Sequence, residues 1–232
     1  MKLFAAAALA VSFILPVAAA NAGAIVSPIS VTASSTFPDV YFRPPNLINH
    51  NGLLTDYFSG ISDFDSYIAG DPQHSYIGKF AEWFSEDSQT GATLVFDMGS
   101  VMLLDRLALW NEEALGTGSV AVALSTDGAA YTGVGSFSPT NWPFYFPSYG
   151  ADIFAFAATP AQFIQLTLSG CPQPNALPGS GGGCGLGEVA FREAVSAVPE
   201  PFTLAVFGFG LAGTYFMRRR RTRKSAHGGK EA

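Results

Sequence analysis

The chain has 232 residues, 48% of them hydrophobic and 13% charged, with a formal net charge of −6 at pH 7. Between Gly23 and Val198, four basic residues stand against 16 acidic ones, hence a formal charge of −12. Such a surface lacks the positive patch that the phosphate backbone requires, which excludes nucleic acid as a partner of this part. The length of the segment from Gly23 to Val198 permits one well-filled core rather than two domains.

The first 22 residues have the order of a secretory signal peptide. Lys2 is followed by an apolar stretch over residues 3–17, and the small residues Ala20-Asn21-Ala22 precede Gly23. A basic start, a short apolar run and a small-residue cleavage site are the three parts of such a peptide. We expect residues 1–22 to direct export through the Sec translocon. An N-terminal anchor is the alternative, which the shortness of the run disfavours.

Alternation of apolar and polar residues predicts β-strands along the exported part. It is clearest over residues 120–124 and 164–168, where every second residue is apolar, as in half-buried strands. Further strands are predicted at residues 29–33, 93–97, 106–110, 151–157 and 187–192. Many short strands without a long amphipathic helix predict an all-β jelly-roll sandwich over residues 23–196.

The segments between the strands fall into two kinds. Asp127-Gly128 separates the run at 120–124 from an apolar stretch at 131–137, a spacing that predicts a tight hairpin. Residues 37–83 and 140–150 are polar and aromatic without a clear period. We predict long loops at the sandwich ends for both of these stretches.

Cys171 and Cys184 are the only cysteines of the chain, and both belong to the exported part. Cysteines pair in such oxidising compartments. Closing the Gly- and Pro-rich loop between them would contribute roughly 3 kcal/mol in the chain-entropy model. A shared metal ion is the alternative, although neither a histidine nor a further cysteine lies nearby in the sequence. We predict a disulfide.

The C-terminal segment combines three features. Pro199-Glu200-Pro201 precedes an apolar run over residues 202–217, and Arg218-Arg219-Arg220-Arg221 follow it. A 16-residue helix rises about 24 Å, and snorkelling arginines cover the remainder of a roughly 30 Å hydrocarbon core. Basic residues stay on the cytoplasmic side. We therefore predict a transmembrane helix at 202–217, a cytoplasmic tail at 225–232, and a sandwich outside the inner membrane.

Together, the tripeptide, helix and arginine cluster resemble the PEP-CTERM sorting signal of Gram-negative bacteria, over residues 197–224. The resemblance implies transfer to an exosortase, a membrane transpeptidase that removes the tail. It also implies a transient inner-membrane anchor and a final place at the cell surface or in the extracellular matrix. Proteins with this signal accompany exopolysaccharide production. An ordinary single-pass anchor is the alternative.

Fragments of the exported part also resemble, in order, the galactose-binding-like jelly roll of the discoidin or coagulation factor type C group. They are Val31-Thr32-Ala33-Ser34-Ser35, the first loop at 46–52, the strand at 92–99, the central run at 104–111, the turn at 125–128, and the strands at 163–167 and 187–192. Many carbohydrate-binding modules belong to this group. The resemblance therefore implies a sandwich that binds carbohydrate.

Many members of that group hold a structural Ca²⁺ between the first loop and a glutamate of the last strand. In this sequence Asn49 stands where an aspartate is common, Gly52 follows it, and Glu188 stands at the closing glutamate. Calcium takes about six to eight oxygen ligands, so loss of one carboxylate weakens such a site without destroying it. The resemblance thus implies a structural Ca²⁺. The alternative is a plain turn at Asn49 and a solvated Glu188.

Loops at one end of the sandwich form the sugar-binding face in this group, with an aromatic ring beneath the pyranose. The resemblance supplies no fixed motif for that face. The candidates from composition are Trp142, Tyr145 and Tyr149 in the Pro-rich loop, with Tyr41 and Arg43 in the earlier loop. Their rings are amphipathic platforms. Packing of the same rings over the sandwich end is the alternative.

Catalysis has little support in the sequence. The three histidines (His50, His74 and His227) yield neither a zinc motif nor a Ser-His-Asp set by spacing. The acidic pairs could serve a glycosidase, but we expect exposed turn carboxylates at Glu112-Glu113, Asp63/Asp65 and Glu86-Asp87.

Two hypotheses remain. The first is an exported module that binds carbohydrate of an exopolysaccharide or biofilm matrix. The second is a non-catalytic structural protein of the surface or matrix, without a defined ligand.

Overall fold

The computed structural model describes residues 23–144, 147–176 and 182–195. The strands within these ranges are β1 (Ile25–Val26), β2 (Ser30–Ala33), β3 (Gln73–Ser75), β4 (Trp83–Phe84), β5 (Gly91–Asn111), β6 (Ser119–Ser125), β7 (Thr132–Phe137), β8 (Ser148–Ser169) and β9 (Gly185–Glu193). A 3₁₀ helix at Pro44–Ile48 and the short helix α1 at Phe64–Ala69 complete the described elements. Among the described residues, no helix has both the length and the apolar character needed to cross a bilayer.

Several predictions from the sequence concern other residues. The signal peptide at 1–22, the sorting tripeptide at 199–201, the transmembrane helix at 202–217, the arginines at 218–221 and the tail at 225–232 lie outside the described residues. The chain divides into two compact units, Met1–Val195 and Ser196–Ala232. The first unit by itself contains all nine strands, both apolar cores and the disulfide.

The strands form an antiparallel array in the order β1-β9-β5-β8-β6-β7, and β2, β3 and β4 pair with β5, β8 and β9. The predicted strands at 93–97 and 106–110 are two halves of the long strand β5. Between them the register with β8 shifts, first between Asp97 and Met102 and again between Leu104 and Arg106. Gly99 has a φ of +80° there, and its N–H donates to the Asp97 side chain. Such irregularities bend a strand.

Because β5 bends, its two halves line one core from different sides. Phe96 from the first half and Leu107 from the second belong to the same buried cluster, together with Val122 of β6 and Leu166 of β8. The array therefore folds over on itself, and the predicted all-β sandwich is confirmed.

The second half of β5 is buried on both faces. Leu107 and Leu109 point into the main core, whereas Ala108 and Trp110 belong to a smaller cluster with Phe64 of α1. The segment at 37–83, predicted as a loop, supplies this second cover through Tyr57 and Phe64, whereas its Leu47 and Trp83 join the main core. An alternating strand pattern cannot reveal a cover of this kind.

Two local predictions are confirmed. β6 and β7 form the hairpin, and in its turn the Asp127 Oδ1 atom accepts from the N–H groups of Ala129 and Ala130. Cys171 and Cys184 form the disulfide, with both residues buried.

Candidate functional site

Three glutamates meet in the protein interior at the end of β5. Glu82 and Glu112 are 0% exposed and Glu113 is 1% exposed. One carboxylate oxygen from each lies within 4.8 Å of those of the other two. We call Glu82, Glu112 and Glu113 the acidic cluster.

Strand pairing brings the three residues together. Glu82 immediately precedes β4 and Glu112 immediately follows β5, and both strands pair with β9 at Leu186. The two glutamates therefore flank β9 from opposite sides, near its residues 185–187. Two of these residues are glycines, and the backbone of β9 leaves room there for the neighbouring side chains.

Side chains of neighbouring residues fill the space beside these glycines. A Cβ atom on Gly187 would lie 2.5 Å from the Tyr149 hydroxyl, and one on Gly185 would lie 3.0 Å from Glu112 Oε2. A Cβ contact of 2.5 Å is shorter than van der Waals radii allow, and one of 3.0 Å is unusually tight. Any larger residue at position 187 would displace Tyr149 from the edge of the acidic cluster.

Neutral donors satisfy part of the cluster. The Tyr149 hydroxyl donates to Glu82 Oε1 at 2.8 Å, and the Gly78 N–H donates to Glu82 Oε2 at 2.9 Å. The Ile77 N–H donates to Glu113 Oε1 at 3.2 Å, and the Leu115 N–H donates to Glu112 Oε2 at 2.5 Å. Glu112 Oε1 and Glu113 Oε2 are buried without a hydrogen-bond partner among the described residues.

Burial and mutual repulsion disfavour ionisation of these carboxyl groups. Burial raises the pKa of Glu82 to about 8. Burial, followed by the charges of Glu82 and Glu113, raises the pKa of Glu112 well above its usual range. Burial also raises the pKa of Glu113. A buried carboxylate requires a nearby positive charge or must keep its proton.

The nearest histidine does not supply that charge. The His74 Nδ1 atom is 4.0 Å from Glu82 Oε1, and the ring is fully buried. The carbonyl oxygens of Ser75 and Ala81 raise the pKa of His74, but burial has the larger effect and lowers it to about 4. The lowered pKa favours the neutral ring, which donates to only one of these two carbonyl oxygens.

The four basic side chains between residues 23 and 195 lie against other groups. Arg106 contacts Asp65, and Arg192 contacts both Asp65 and Asp105. Lys79 lies over the Tyr41 ring, and the Arg43 guanidinium donates to the Pro38 carbonyl. No arginine or lysine contact with the acidic cluster is found within the described ranges.

The prediction that Glu112-Glu113 is an exposed turn is wrong. Gln173 holds this turn inside, because its amide nitrogen donates to the carbonyl oxygens of Glu112 and Glu113. Asn111, at the end of β5, donates to Gln173 Oε1 and to the Thr117 carbonyl. Gln173 lies two residues after the disulfide-bonded Cys171, so a distant segment closes over the turn.

A second feature lies above the cluster. Residues 76–80, which we call the aromatic loop, contain Ile77 and Gly78, whose N–H groups bond the cluster glutamates. The loop also exposes Tyr76 by 56% and Phe80 by 48%. The Phe80 ring packs edge-on against Tyr41, with centroids 4.9 Å apart, and Lys79 Nζ lies 4.3 Å from the Tyr41 centroid.

The aromatic residues predicted for sugar binding fall in different environments. Tyr41 is half-buried beside the aromatic loop and Arg43 is exposed. Trp142 is half-buried against the smaller apolar cluster. Tyr149 is fully buried with its hydroxyl on Glu82, so a ligand in solvent cannot contact its ring in this structure. Tyr145 lies outside the described residues.

The structure brings the predicted calcium residues only partly together. The His50 N–H of the first loop donates to Glu188 Oε2, and Glu188 Oε1 is buried without a hydrogen-bond partner among the described residues. Asn49 Oδ1 instead accepts from the Asn51 N–H, and the Gly52 carbonyl accepts from the Ser75 N–H. Among the side chains of these residues, that of Glu188 has a buried oxygen without a hydrogen bond. A calcium ion at this place stays a prediction.

The first loop also carries a hydrogen-bonded chain that the sequence spacing did not reveal. Asp56 Oδ1 is 2.6 Å from His50 Nδ1, and His50 Nε2 is 3.0 Å from Ser27 Oγ. The Tyr57 hydroxyl also bonds Ser27 Oγ, at 2.7 Å, and the Asp56 side chain is 68% exposed. Solvent screens so exposed a carboxylate, and Ser27 is shared between two partners. Both features favour a structural role for this series of hydrogen bonds.

Comparison with known sequences identifies the C-terminal part. Residues 197–221 match the model of the PEP-CTERM protein-sorting motif, which confirms the predicted sorting signal. No curated protein matches the chain.

Solved structures with similar folds are carbohydrate-binding modules or parts of carbohydrate-active enzymes. Chitosan-binding module 1 of a chitosanase/glucanase from Paenibacillus sp. IK-5 is 17% identical, with a TM-score of 0.46, over 72% of this chain and 95% of that module. The CBM32 of AlyQ, in complex with 4,5-unsaturated mannuronic acid, is 19% identical, with a TM-score of 0.47, over 73% of this chain and 98% of that one. The C-terminal domain of a chitobiase from Bacteroides fragilis is 14% identical, with a TM-score of 0.48, over 74% and 99% of the two chains.

With TM-scores below 0.5, these similarities carry no ligand or activity over to this chain. The sorting motif, in contrast, is a direct sequence match and indicates export and sorting by an exosortase. The chain carries a PEP-CTERM protein-sorting motif at residues 197–221, preceded by an all-β sandwich.

Proposed function

We propose that the exported sandwich binds carbohydrate of an extracellular polysaccharide at its aromatic loop. The observation that carries the proposal is Phe80, a large apolar side chain that is 48% exposed in a left-handed backbone conformation with φ +65°. Such a conformation is strained for a residue with a bulky side chain. Strain that persists in a folded protein concentrates at functional sites.

The surroundings of Phe80 hold its ring in place. Its N–H donates to the Tyr41 carbonyl at 3.0 Å, and its carbonyl accepts from the side-chain amides of Asn49 and Asn51. The ring edge contacts Tyr41. A fixed, half-exposed ring is suited to stack on the apolar face of a pyranose with little loss of conformational entropy.

Polar donors stand beside the ring. Lys79 and Arg43 are the two basic residues of the described sandwich that are not paired with aspartate, and Lys79 lies over the Tyr41 ring. Ammonium and guanidinium groups donate to hydroxyl and carboxylate oxygens. Aromatic and donor groups together provide the two kinds of contact that a sugar requires.

Sorting supports the same function. The PEP-CTERM motif indicates export and transfer to an exosortase. We infer that the protein is released to the cell surface or extracellular matrix of a Gram-negative bacterium, where exopolysaccharide surrounds it. The strongly acidic sandwich disfavours nucleic acid and anionic lipid as competing partners.

A glycan and exopolysaccharide binding screen on residues 23–195 tests this proposal. Saturable binding should weaken at least about fivefold in Phe80→Ala, because loss of a stacked aromatic ring that anchors a ligand costs more than about 1 kcal/mol. Phe58→Ala is the matched control, since Phe58 is 73% exposed and lies outside the aromatic loop. Equal loss in both variants, or full binding by Phe80→Ala, would contradict the assignment of the aromatic loop.

A structural protein without a defined ligand is the second candidate. It is favoured by the full burial of Tyr149, which removes one predicted sugar platform from solvent, and by the packing of half-buried Trp142 against the smaller apolar cluster. A folded protein that binds no polysaccharide at high concentration would support this candidate over the first.

A further inference from the structure

We propose that the acidic cluster of Glu82, Glu112 and Glu113 binds a divalent cation, Ca²⁺, inside the sandwich. This site is distinct from the place at Asn49, Gly52 and Glu188 that the resemblance implies. It also does not depend on carbohydrate binding, because the argument uses only the buried carboxylates and their surroundings.

The spacing of the carboxylates fits one ion. Calcium binds oxygen at about 2.3–2.6 Å, so ligands on opposite sides of the ion are up to about 5 Å apart. One oxygen from each of Glu82, Glu112 and Glu113 lies within 4.8 Å of the other two. A single Ca²⁺ can therefore contact all three residues.

The unpartnered oxygens are an independent sign of a ligand. Glu112 Oε1 and Glu113 Oε2 are buried and accept no hydrogen bond within the described part of the chain. The other oxygen of each residue accepts from a backbone N–H, at Leu115 and Ile77 respectively. Backbone donors thus orient both carboxyl groups and leave one oxygen of each available to an ion.

The charge balance supports the same conclusion. Three buried carboxylates carry a charge of −3 when ionised, and the basic residues of the sandwich lie against other groups. A bound divalent ion supplies a positive charge and reverses the preference for protonation.

The ligand type selects the ion. An all-oxygen set provided by the protein suits Ca²⁺, whereas Mg²⁺ usually keeps several waters and needs shorter, near-octahedral bonds. Zinc favours nitrogen and sulfur ligands. The histidine beside the cluster, His74, lies 2.8 Å from the Ser75 carbonyl oxygen through Nδ1, and Cys171 and Cys184 are bonded to each other.

The ion would act on the aromatic loop. Two consecutive N–H groups of that loop, of Ile77 and Gly78, donate to Glu113 and Glu82. An ion that fixes these two carboxylates also fixes the backbone that presents Tyr76 and Phe80. The site thereby connects the interior of the sandwich to its exposed aromatic surface.

Calorimetric titration of chelator-treated residues 23–195 with CaCl₂ tests the proposal. The wild type should bind Ca²⁺ with a Kd in the range of extracellular calcium modules, about 0.1–1 mM. Glu112→Gln should bind at least tenfold more weakly, since it removes one ligand charge. Glu86→Gln is the matched control, because Glu86 is an exposed acid close in sequence to Glu82 and outside the cluster. Its affinity should equal that of the wild type.

Folding does not limit this test. Glutamine keeps the shape of glutamate, and in the presence of EDTA Glu112→Gln should melt at the same temperature as the wild type or higher, because a buried amide is neutral at every pH. Glu113→Gln provides a second variant with the same expectation. The proposal is overturned if the wild type binds no Ca²⁺ at about 10 mM, far above the range of known modules. It is also overturned if Glu112→Gln binds like the wild type, or if only Glu188→Gln abolishes binding.

Discussion

Two groups of carboxylates in this sandwich differ in how their charge is balanced. In the arginine network, Asp65 and Asp105 contact Arg106 and Arg192, and the side chain of Asp65 is 49% exposed. In the acidic cluster, Glu82, Glu112 and Glu113 are buried against one another. The first group contains its own counter-charges and remains close to solvent. The second has neutral hydrogen-bond donors but no arginine or lysine partner among the described residues.

The difference shows where an external partner is needed. A partly exposed ion-pair network is complete without further ligands and adds modestly to stability. Buried carboxylates without a cationic neighbour either stay protonated or acquire an ion. The arginine network is therefore a structural feature of the fold, whereas the acidic cluster is the place where we propose that an ion binds.

The largest expected effect comes from crowding the acidic cluster. Gly187→Ala places a methyl group 2.5 Å from the Tyr149 hydroxyl, which donates to Glu82. We expect a loss of about 3 kcal/mol in the free energy of unfolding, measured by urea denaturation, since overpacking of a rigid interior is costly. Gly133→Ala is the control, because its Cβ would meet no atom within 4 Å. Equal stability of the two variants would show that the cluster is loosely packed.

A smaller effect on stability is expected when the pH is raised in the presence of EDTA, which keeps the protein free of metal ions. Burial raises the pKa of Glu82 to about 8, with Tyr149, the Gly78 N–H and Glu113 facing it, whereas the unfolded chain ionises near 4.5. Between these values the unfolded state binds fewer protons, so stability falls as pH rises. His74, with a pKa lowered to about 4, opposes this trend only below pH 6.5.

The window from pH 6.5 to 8 therefore isolates the glutamates. One proton lost by the folded state changes stability by about 1.4 kcal/mol per pH unit, so Glu82 alone should lower the free energy of unfolding by about 2 kcal/mol over this window. Saturating Ca²⁺ should remove the decline, because it favours the ionised carboxylates. Thermal denaturation in EDTA and in CaCl₂ measures both slopes. A flat profile in EDTA would contradict the burial of ionisable glutamates.

The smallest effect should come from the arginine network. Arg192→Ala removes contacts with Asp65 and Asp105, whose side chains are 49% and 17% exposed. We expect a loss of about 1 kcal/mol, reduced at high salt, as is typical of partly exposed pairs. Urea denaturation at low and high NaCl concentration measures it. A salt-independent loss several times larger would mean that this network too behaves as a buried site.

The sequence predicted the strands better than the site. Alternation over 120–124 and 164–168 indicates strands because each exposes one face, and both are found in β6 and β8. Glu112-Glu113 follows a strand and has the composition of a solvated turn. Its burial depends on Gln173, 60 residues away, and on residues 76–82, and local pattern does not encode contacts at that separation.

The binding surface illustrates the same limit. Composition selected Trp142 and Tyr149 along with Tyr41, but the residue type does not show whether a ring is buried or exposed. Phe80 lies in the aperiodic stretch at 37–83, which the sequence marks as unusual without singling out one residue. The left-handed φ that distinguishes Phe80 is visible only in the fold.

A crystal structure of residues 23–195 grown with CaCl₂, with anomalous data collected to identify the ion, tests the central claim most directly. We predict a calcium peak about 2.3–2.6 Å from oxygens of Glu82, Glu112 and Glu113. A structure at the same Ca²⁺ concentration in which these carboxylates bond only one another and neighbouring protein groups, with the ion absent or bound at Glu188 alone, would contradict it.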